Sequence, residues 1–419
     1  MSGKDLSIVA ALQIEDHQLR LLVGQFNNGL LYIVASEIAD VYCFDGSRVV
    51  DEKLLVETIK KMSESISAKL STPLTSVALA ISAYRFKRDK KQLDLLLDQK
   101  VVRQQDINAI IRQGYQYRVG NDLELINVLC GSYRINGITY PKPPLNESSS
   151  VLSAEVDMLC ADKNLTYDLV RVVEKSGLKV GDIFLDNYAS CYEAALFEQS
   201  FNNYLINIYM ESSHTVYSLL YNGRIISGFY DNTGYNLLIK PIMSKFGLSY
   251  KDSQRLLFRY GVVGVKTALD RVINRWNDNN QVKTISYKDI QQCIYQPSCQ
   301  IVEDIYNFCS KILAKGNVSV VVTGQGANLQ NLQETLSGRL ECNVKCYSPD
   351  ILGAREAKWT VPLGMINLFK ENNDRLSRND SCVDIIDYQS KICSSFQQQE
   401  TNITSKLKTF TDKLFEEKE

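Results

Sequence analysis

Two stretches of this 419-residue chain repeat one pattern of apolar and polar positions. Near the start, residues 8–12, 19–26 and 30–35 are short runs rich in aliphatic and aromatic side chains, the last two joined by Asn28-Gly29. Near the middle, residues 205–209, 216–221 and 224–230 repeat the plan, joined by Asn222-Gly223. Asn-Gly between two such runs predicts a tight hairpin, because both central residues of the favoured turn need positive φ. After the first meander, Glu52–Leu70 places Leu54, Leu55, Ile59, Met62 and Ile66 on one face at helical spacing. A meander followed by an amphipathic helix, met twice, predicts two related α/β domains facing each other.

The remaining segments fit around this plan. Residues 76–82 and 318–323 are short apolar runs, as expected of buried central strands. Residues 85–163 have no counterpart in the second half. A helix at 105–115 (Ile107, Ile110, Ile111), a strand pair turning at Asn136-Gly137, a proline-rich loop at 141–144 and a strand at 154–160 predict an inserted α+β subdomain. The predicted layout is therefore a first domain in two parts (1–84 and 164–200) interrupted by the subdomain 85–163. A second domain follows in two parts (201–246 and 317–370), interrupted by a mostly helical subdomain, 247–316. Residues 371–402, dominated by Asn, Ser and Gln, read as a polar linker in which 383–386 can pack locally. Residues 403–419 read as a C-terminal amphipathic helix.

Composition narrows the class. Apolar content of 45%, with 23% charged residues and 8 prolines, is that of a soluble globular protein. A formal net charge of −1 removes any whole-chain bias toward nucleic acid or anionic lipid. The basic cluster Lys87-Arg88-Asp89-Lys90-Lys91 has no aromatic ladder or basic helix beside it, so it reads as a solvated face or subunit contact, and no nucleic-acid partner is expected. The 11 cysteines include no CxxC pair and read as reduced thiols; no metal site is expected from them. The first apolar run, about six residues, is too short for a signal peptide, and nothing approaches the roughly twenty apolar residues needed to span a bilayer. The expectation is a cytoplasmic protein whose membrane contact is peripheral.

Two meander-bearing domains, each with an insertion, resemble the actin superfamily. An insertion placed directly after Ser82 resembles the bacterial cell-division family FtsA and its pilus-assembly relatives. Residues 166–196 (TYDLVRVVEKSGLKVGDIFLDNYASCYEAAL) look like the return from that insertion, and 320–332 (VVVTGQGANLQNL) with 362–368 (PLGMINL) look like the end of the second domain. The resemblance runs in order over about residues 5–370 and implies a two-domain actin-like fold. In that superfamily two hairpin loops grip nucleotide phosphates. The first normally reads Asp-Ile-Gly-Thr, whose glycine lets backbone N–H groups approach phosphate; here the stretch is Gln13-Ile14-Glu15-Asp16-His17. The second normally reads Asp-Ile-Gly-Gly-Gly-Thr-Thr; here it is Tyr209-Met210-Glu211-Ser212-Ser213-His214-Thr215. Carboxylates about 4 Å from a triphosphate repel it by several kcal/mol in a low-dielectric cleft. The adenosine-binding Glu-x-x-Lys pair falls at Gln254 and Leu257, and of the usual elements Thr323-Gly324-Gln325-Gly326 persists. These losses predict no catalytic residues and no cofactor, with room for at most weak ATP–Mg binding. Both histidines of the chain, His17 and His214, fall in the two loops. A switch or metal pair, with Asp16 and Glu211 adding oxygen ligands, is one reading; polar replacement in a vacated loop is the simpler one, and no metal is expected.

The resemblance also implies partners. The FtsZ tail peptide docks in this family on the smaller subdomain of the second domain, where Arg255 and Arg259, or Arg271 and Arg275, can meet an acidic peptide; a family arginine falls here at Ser298. The solvated-face reading of these arginines stands beside it. In the tail, Ile403, Leu407, Phe410 and Leu414, with Phe415 adjoining, fall within roughly a 60° arc, which suits the family's membrane-surface helix. Lys406, Lys408, Lys413 and Lys418 are offset by Asp412, Glu416, Glu417 and Glu419, so apolar insertion of about 6–12 kcal/mol at best would drive binding. One copy binds weakly and a homo-oligomer or filament strongly. The implied function is a non-catalytic adaptor tethering FtsZ filaments to the inner membrane face at the division site. The alternatives are a polymerising actin-like ATPase and a pilus-assembly scaffold.

Overall fold

Asn28 and Gly29 take φ of 51° and 77°, and Asn136 and Gly137 take 48° and 79°, the mirror-image turn that matches the twist of a two-strand ribbon. They close the hairpins of a computed structural model that describes residues 6–391, apart from 199–203, 222–223, 279–280, 315, 317 and 377. The first half runs β1 (Ser7–Ile14), β2 (Leu19–Asn27), β3 (Leu30–Ala39), α1 (Glu52–Leu70) and β4 (Ser76–Ile81). It continues with β5 (Lys87–Leu96), α2 (Gln104–Tyr115), β6 (Leu123–Ile135), β7 (Ile138–Tyr140), β8 (Val151–Asp162), α3 (Lys163–Lys175), β9 (Lys179–Leu185) and α4 (Asp186–Glu198). The second half runs β10 (Tyr204–Met210), β11 (Thr215–Tyr221), β12 (Arg224–Asp231), α5 (Asn236–Phe246), α6 (Tyr250–Tyr260), β13 (Val272–Asp278) and β14 (Gln281–Ser286). It ends with α7 (Tyr287–Leu313), β15 (Val318–Thr323), α8 (Leu332–Leu340), β16 (Val344–Cys346) and α9 (Thr360–Leu376).

The two halves build the same sheet twice. Strand orders are β3-β2-β1-β4-β9 and β12-β11-β10-β15-β16, in each case an antiparallel meander continued by parallel strands. β1 is buried at every position because both faces are covered. Ile8, Ala10 and Leu12 join one core with α1, while Val9 and Ala11 join another with α9. α1 starts at Asp51, whose side chain accepts from the Leu54 N–H, and buries Leu55, Ile59, Met62 and Ile66; Leu54, placed with them by its spacing, is 40% exposed.

The last helix of each half is exchanged. α4 follows the first sheet but packs on β10 and β11, and α9 follows the second sheet but packs on β1, β2 and β4. The two helices cross closely, and Gly364 makes this possible: a Cβ there would lie 2.1 Å from the Ala189 carbonyl oxygen. The inserted subdomain is the antiparallel sheet β5-β8-β6-β7 backed by α2, with its own core.

The second subdomain is mostly helical, as expected, with a hairpin of β13 and β14 between α6 and α7. One expectation needs correction. The polar linker does not begin at 371. α9 runs to Leu376, and Cys382, Val383 and Tyr388 are buried in the first core. The Cys382 N–H donates to the Ile8 carbonyl, and the Thr75 N–H donates to the Cys382 carbonyl. A few apolar residues spaced among polar ones suffice here because the open end of β1 supplies the hydrogen bonds.

Candidate functional site

The site lies where the two sheets point their loops at each other. β1 ends in a tight loop in which the Glu15 N–H donates to the Gln18 carbonyl, and β10 ends in its counterpart, with the Glu211 N–H donating to the His214 carbonyl. Between the loops, Arg20 from β2 meets Glu211 in a two-point pair, Nη1–Oε1 at 3.0 Å and Nη2–Oε2 at 2.8 Å, with the side chains 1% and 0% exposed. The remaining donors of the guanidinium are also used. Nε donates to Gln18 Oε1 at 2.9 Å, Nη1 to the Lys358 carbonyl at 3.0 Å and Nη2 to Gln325 Oε1 at 3.2 Å. A planar fork that fills every donor in this way fixes position as well as charge.

Further bonds cross the same gap. Gln13 Nε2 donates to the Tyr209 hydroxyl at 2.6 Å, and that hydroxyl donates to Glu15 Oε1 at 3.0 Å. Asp16 accepts from the Ser212 hydroxyl and, at 3.1 Å, from Asn236 Nδ2. Tyr235, which is 1% exposed, donates to Gln325 at 2.7 Å and accepts from Gln254 at 3.2 Å. What remains open among Glu15, Arg20, Ser212, Tyr235, Gln254 and Gln325 is a cavity of about 30 Å³. The Thr323-Gly324-Gln325-Gly326 turn holds its shape for packing reasons. Gly324 sits at φ 78°, where a Cβ would lie 2.6 Å from the Met210 carbonyl oxygen, and a Cβ on Gly326 would meet the Met210 side chain at 2.5 Å.

Burial and like charge set the electrostatics. Glu15 is held well above the usual carboxylate range by burial, with the Glu211 charge adding to it. Burial opposes the Arg20 charge, and the Glu211 carboxylate overcomes that, holding the guanidinium protonated more firmly than usual. Burial raises Asp186 to about 7 and lowers His214. Asp186, the first residue of α4, accepts through Oδ1 from the Ala83 N–H at 2.9 Å and from the Asn187 N–H at 2.5 Å.

Sequence reasoning placed most of the gap-lining residues but missed Arg20 and Asp186. An arginine inside the otherwise apolar run of β2 was the available signal for the first. Leu257 and Thr323 turn away from the gap, and the two histidines line it without meeting. Leu257 is buried in the second core, because the apolar face of α6 turns it away from the gap. Thr323 donates to Asn207 within the second sheet. His17 stacks on Tyr250 at 3.6 Å between ring centres, while His214 stacks on Tyr230 at 5.0 Å, so the two histidines have separate surroundings. His214 takes neither Glu15 nor Asp16 as a hydrogen-bond partner; its Nδ1 sits 3.3 Å from the Ser213 hydroxyl.

The gap between two duplicated sheets, with exchanged helices behind it, is the nucleotide position of actin-like folds. The solved PilM–PilN type IV pilus biogenesis complex shares the fold, at a TM-score of 0.60 and 13% identity over 86% of this chain and 98% of that one. No family model matches the chain. Among curated proteins, the cell division protein FtsA of Buchnera aphidicola subsp. Schizaphis graminum is 20% identical over 356 residues, 83% of this chain and 84% of that relative. FtsA of Bacillus subtilis is 20% identical over 384 residues, 89% of this chain and 85% of its own. This is a divergent FtsA-like chain of the actin superfamily.

In FtsA-like terms, the remaining candidate residues lie away from the gap. Arg255 and Arg259 are exposed on one face of α6; Arg255 pairs with Asp252 at 3.4 Å, and Arg259 lies over the Tyr260 ring. Arg275 is on strand β13 and Arg271 just before it, so this second pair does not share a helix face. Ser298 is fully buried on α7 and accepts from the Gly264 N–H, which leaves no room for a surface arginine at that position. The basic run on β5 is largely ion-paired: Arg88 with Asp157 at 2.6 Å and Lys90 with Glu155 at 2.6 Å. Arg224 of β12 joins the same acids and ties the inserted subdomain to the second sheet. The tail residues Ile403, Leu407, Phe410, Leu414 and Phe415 lie outside the described residues. Among the described residues, no helix is long and apolar enough to cross a membrane.

Proposed function

We propose that this chain is a non-catalytic cell-division adaptor that joins filaments of the tubulin-like protein FtsZ to the cytoplasmic face of the membrane and assembles with its own copies. The observation that carries the non-catalytic reading is the Arg20–Glu211 pair, buried between the loops that in this superfamily hold phosphate. The residues present do not fit a nucleotide. A cavity of about 30 Å³ compares with roughly 300–1,000 Å³ for small-molecule sites. Side chains at Glu15, Glu211, Ser212 and Ser213 stand where glycine N–H groups would face phosphate. Opening the gap would break the Arg20–Glu211 pair and the hydrogen bonds that cross beside it.

The adaptor role is supported by the name its relatives share, cell division protein FtsA, over most of the chain. In this reading the acidic FtsZ tail meets the exposed Arg255–Arg259 face of α6, and the tail segment around Leu407 and Phe410 lies on lipid. Sedimenting the protein with FtsZ filaments and anionic phospholipid vesicles, together and separately, tests both contacts. FtsZ should reach the vesicles only through this protein, and Leu407→Glu with Phe410→Glu should release both from lipid while FtsZ binding persists. Wild-type protein that leaves FtsZ in the supernatant would overturn the adaptor role, and turnover of ATP would favour a polymerising ATPase.

A further inference from the structure

Glu15, Asp186 and His214 meet at the floor of the gap, below the Arg20–Glu211 pair. One ligating atom from each lies within 4.8 Å of the others, and the residues are 3%, 2% and 1% exposed. Two of these side chains present an atom that nothing satisfies: Glu15 Oε2 and His214 Nε2 are fully buried and have no hydrogen-bond partner. Both line a small cavity of about 10 Å³ together with Asp186 and Ser82. A buried polar atom without a partner costs about 1–3 kcal/mol, so two beside one cavity call for an occupant.

A cation that displaces the Glu15 proton meets acceptor-only carboxylate oxygens, and in the tautomer in which Nδ1 donates to the Ser213 hydroxyl His214 offers it an acceptor at Nε2. The nearest polar neighbours are committed elsewhere: Glu15 Oε1 accepts from Gln13 and Tyr209, and Asp186 Oδ1 from two backbone N–H groups. These bonds also orient the groups as partners of metal ligands do, with Ser213 holding the far side of the imidazole. We propose that Glu15, Asp186 and His214 bind one divalent first-row metal ion, which staples the two lobes together.

One imidazole and two carboxylates suit Zn²⁺ or Mn²⁺ better than the all-oxygen preference of Ca²⁺. Bonds of about 2.0–2.2 Å in a tetrahedral site set neighbouring ligands roughly 3.3–3.6 Å apart. From separations of at most 4.8 Å, that asks each side chain to move inward by less than an ångström or so. Charge is close to balanced: Arg20 and Glu211 cancel, two carboxylates offset a dication, and the remaining Asp16 carboxylate accepts from Ser212 and Asn236. Glu15 and Asp186 belong to the first sheet's loop and the following helix, whereas His214 belongs to the second sheet's loop. The ion would therefore bridge the lobes at a point where actin-like proteins rely on a ligand.

The test uses the full-length protein, stripped with a chelator and titrated calorimetrically with Zn²⁺, without nucleotide, so its outcome is separate from the adaptor reading. The chain should take up one Zn²⁺ with a raised melting temperature. His214→Gln and Glu15→Gln should each weaken uptake by at least about 100-fold, since even residues one step removed from a metal cost about 10–100-fold. Cys342→Ser with Cys346→Ser should leave it unchanged. Co²⁺ loaded into the wild type should give an absorption spectrum without a thiolate-to-metal band. Absence of stoichiometric uptake by folded wild-type protein, uptake that survives His214→Gln, or a thiolate band from Co²⁺ would each overturn the proposal.

Discussion

Arg20 and Glu211 are close to fully buried, and among the described residues each has the other as its only opposite charge at contact distance. Such a pair contributes little net stability against an apolar replacement, yet removing one partner strands a charge. Arg20→Met is expected to destabilise the protein by about 3–5 kcal/mol, and Arg20→Met with Glu211→Leu by less than that single change. Urea unfolding of wild type, both single variants and the double checks this; additive losses would show that the two charges are not coupled. Glu193 carries a pH prediction. Its carboxylate accepts from Tyr347 and Asn367 at 2.7 and 2.8 Å, and burial raises it above its ordinary value. A folded state that holds a proton which the unfolded chain releases near pH 4.3 loses stability as pH rises through the interval above that value. Glu193→Gln should flatten this decline above about pH 4.3, and an unchanged slope would contradict it. At this scale the sequence showed where glycines were missing, because a lost glycine is visible in a single letter. It did not show what filled their place. Arg20 is seven positions from Gln13 and 191 from Glu211, and that pairing becomes visible once the two sheets face each other.

The elements were legible in proportion to how strictly local chemistry demands them. Asn28-Gly29 and Asn136-Gly137 named their own turns, since few other pairs accept positive φ twice. The hairpin β13–β14 was not legible, because it lies in a stretch without clear alternation, and segment 378–391 was legible only at 383–386, because it borrows its hydrogen bonds from β1 and β4. The exchange of α4 and α9 also left no periodic signal; its mark is the lone glycine at their crossing. Gly364→Ala puts a methyl 2.1 Å from the Ala189 carbonyl oxygen, and overpacking of this kind costs about 1–3 kcal/mol or more. Circular dichroism melting should show that loss, whereas Gly338→Ala, on the open surface of α8, should be neutral or slightly stabilising.

At the scale of the whole molecule, the duplicated sheets and swapped helices give two lobes that must be held at a fixed angle. In an actin-like protein that works through nucleotide, ligand and cation supply much of that restraint. Here the lobes meet through Arg20–Glu211, Gln13–Tyr209, Glu15–Tyr209, Asp16–Ser212 and Asp16–Asn236. The Lys251–Asp40 pair, which also crosses, is exposed and adds little. A fixed joint suits a scaffold, whose task is to present surfaces at constant spacing along an assembly. The central claim is that protein side chains have replaced nucleotide in this joint, and thermal unfolding in millimolar Mg-ATP tests it most directly. A ligand at a hundred times its dissociation constant adds about 2.7 kcal/mol to the folded state, which moves a melting temperature by several degrees in a domain of this size. The account predicts the same melting temperature with Mg-ATP as with Mg²⁺ alone. A rise of several degrees that requires ATP would show a working nucleotide site and contradict it.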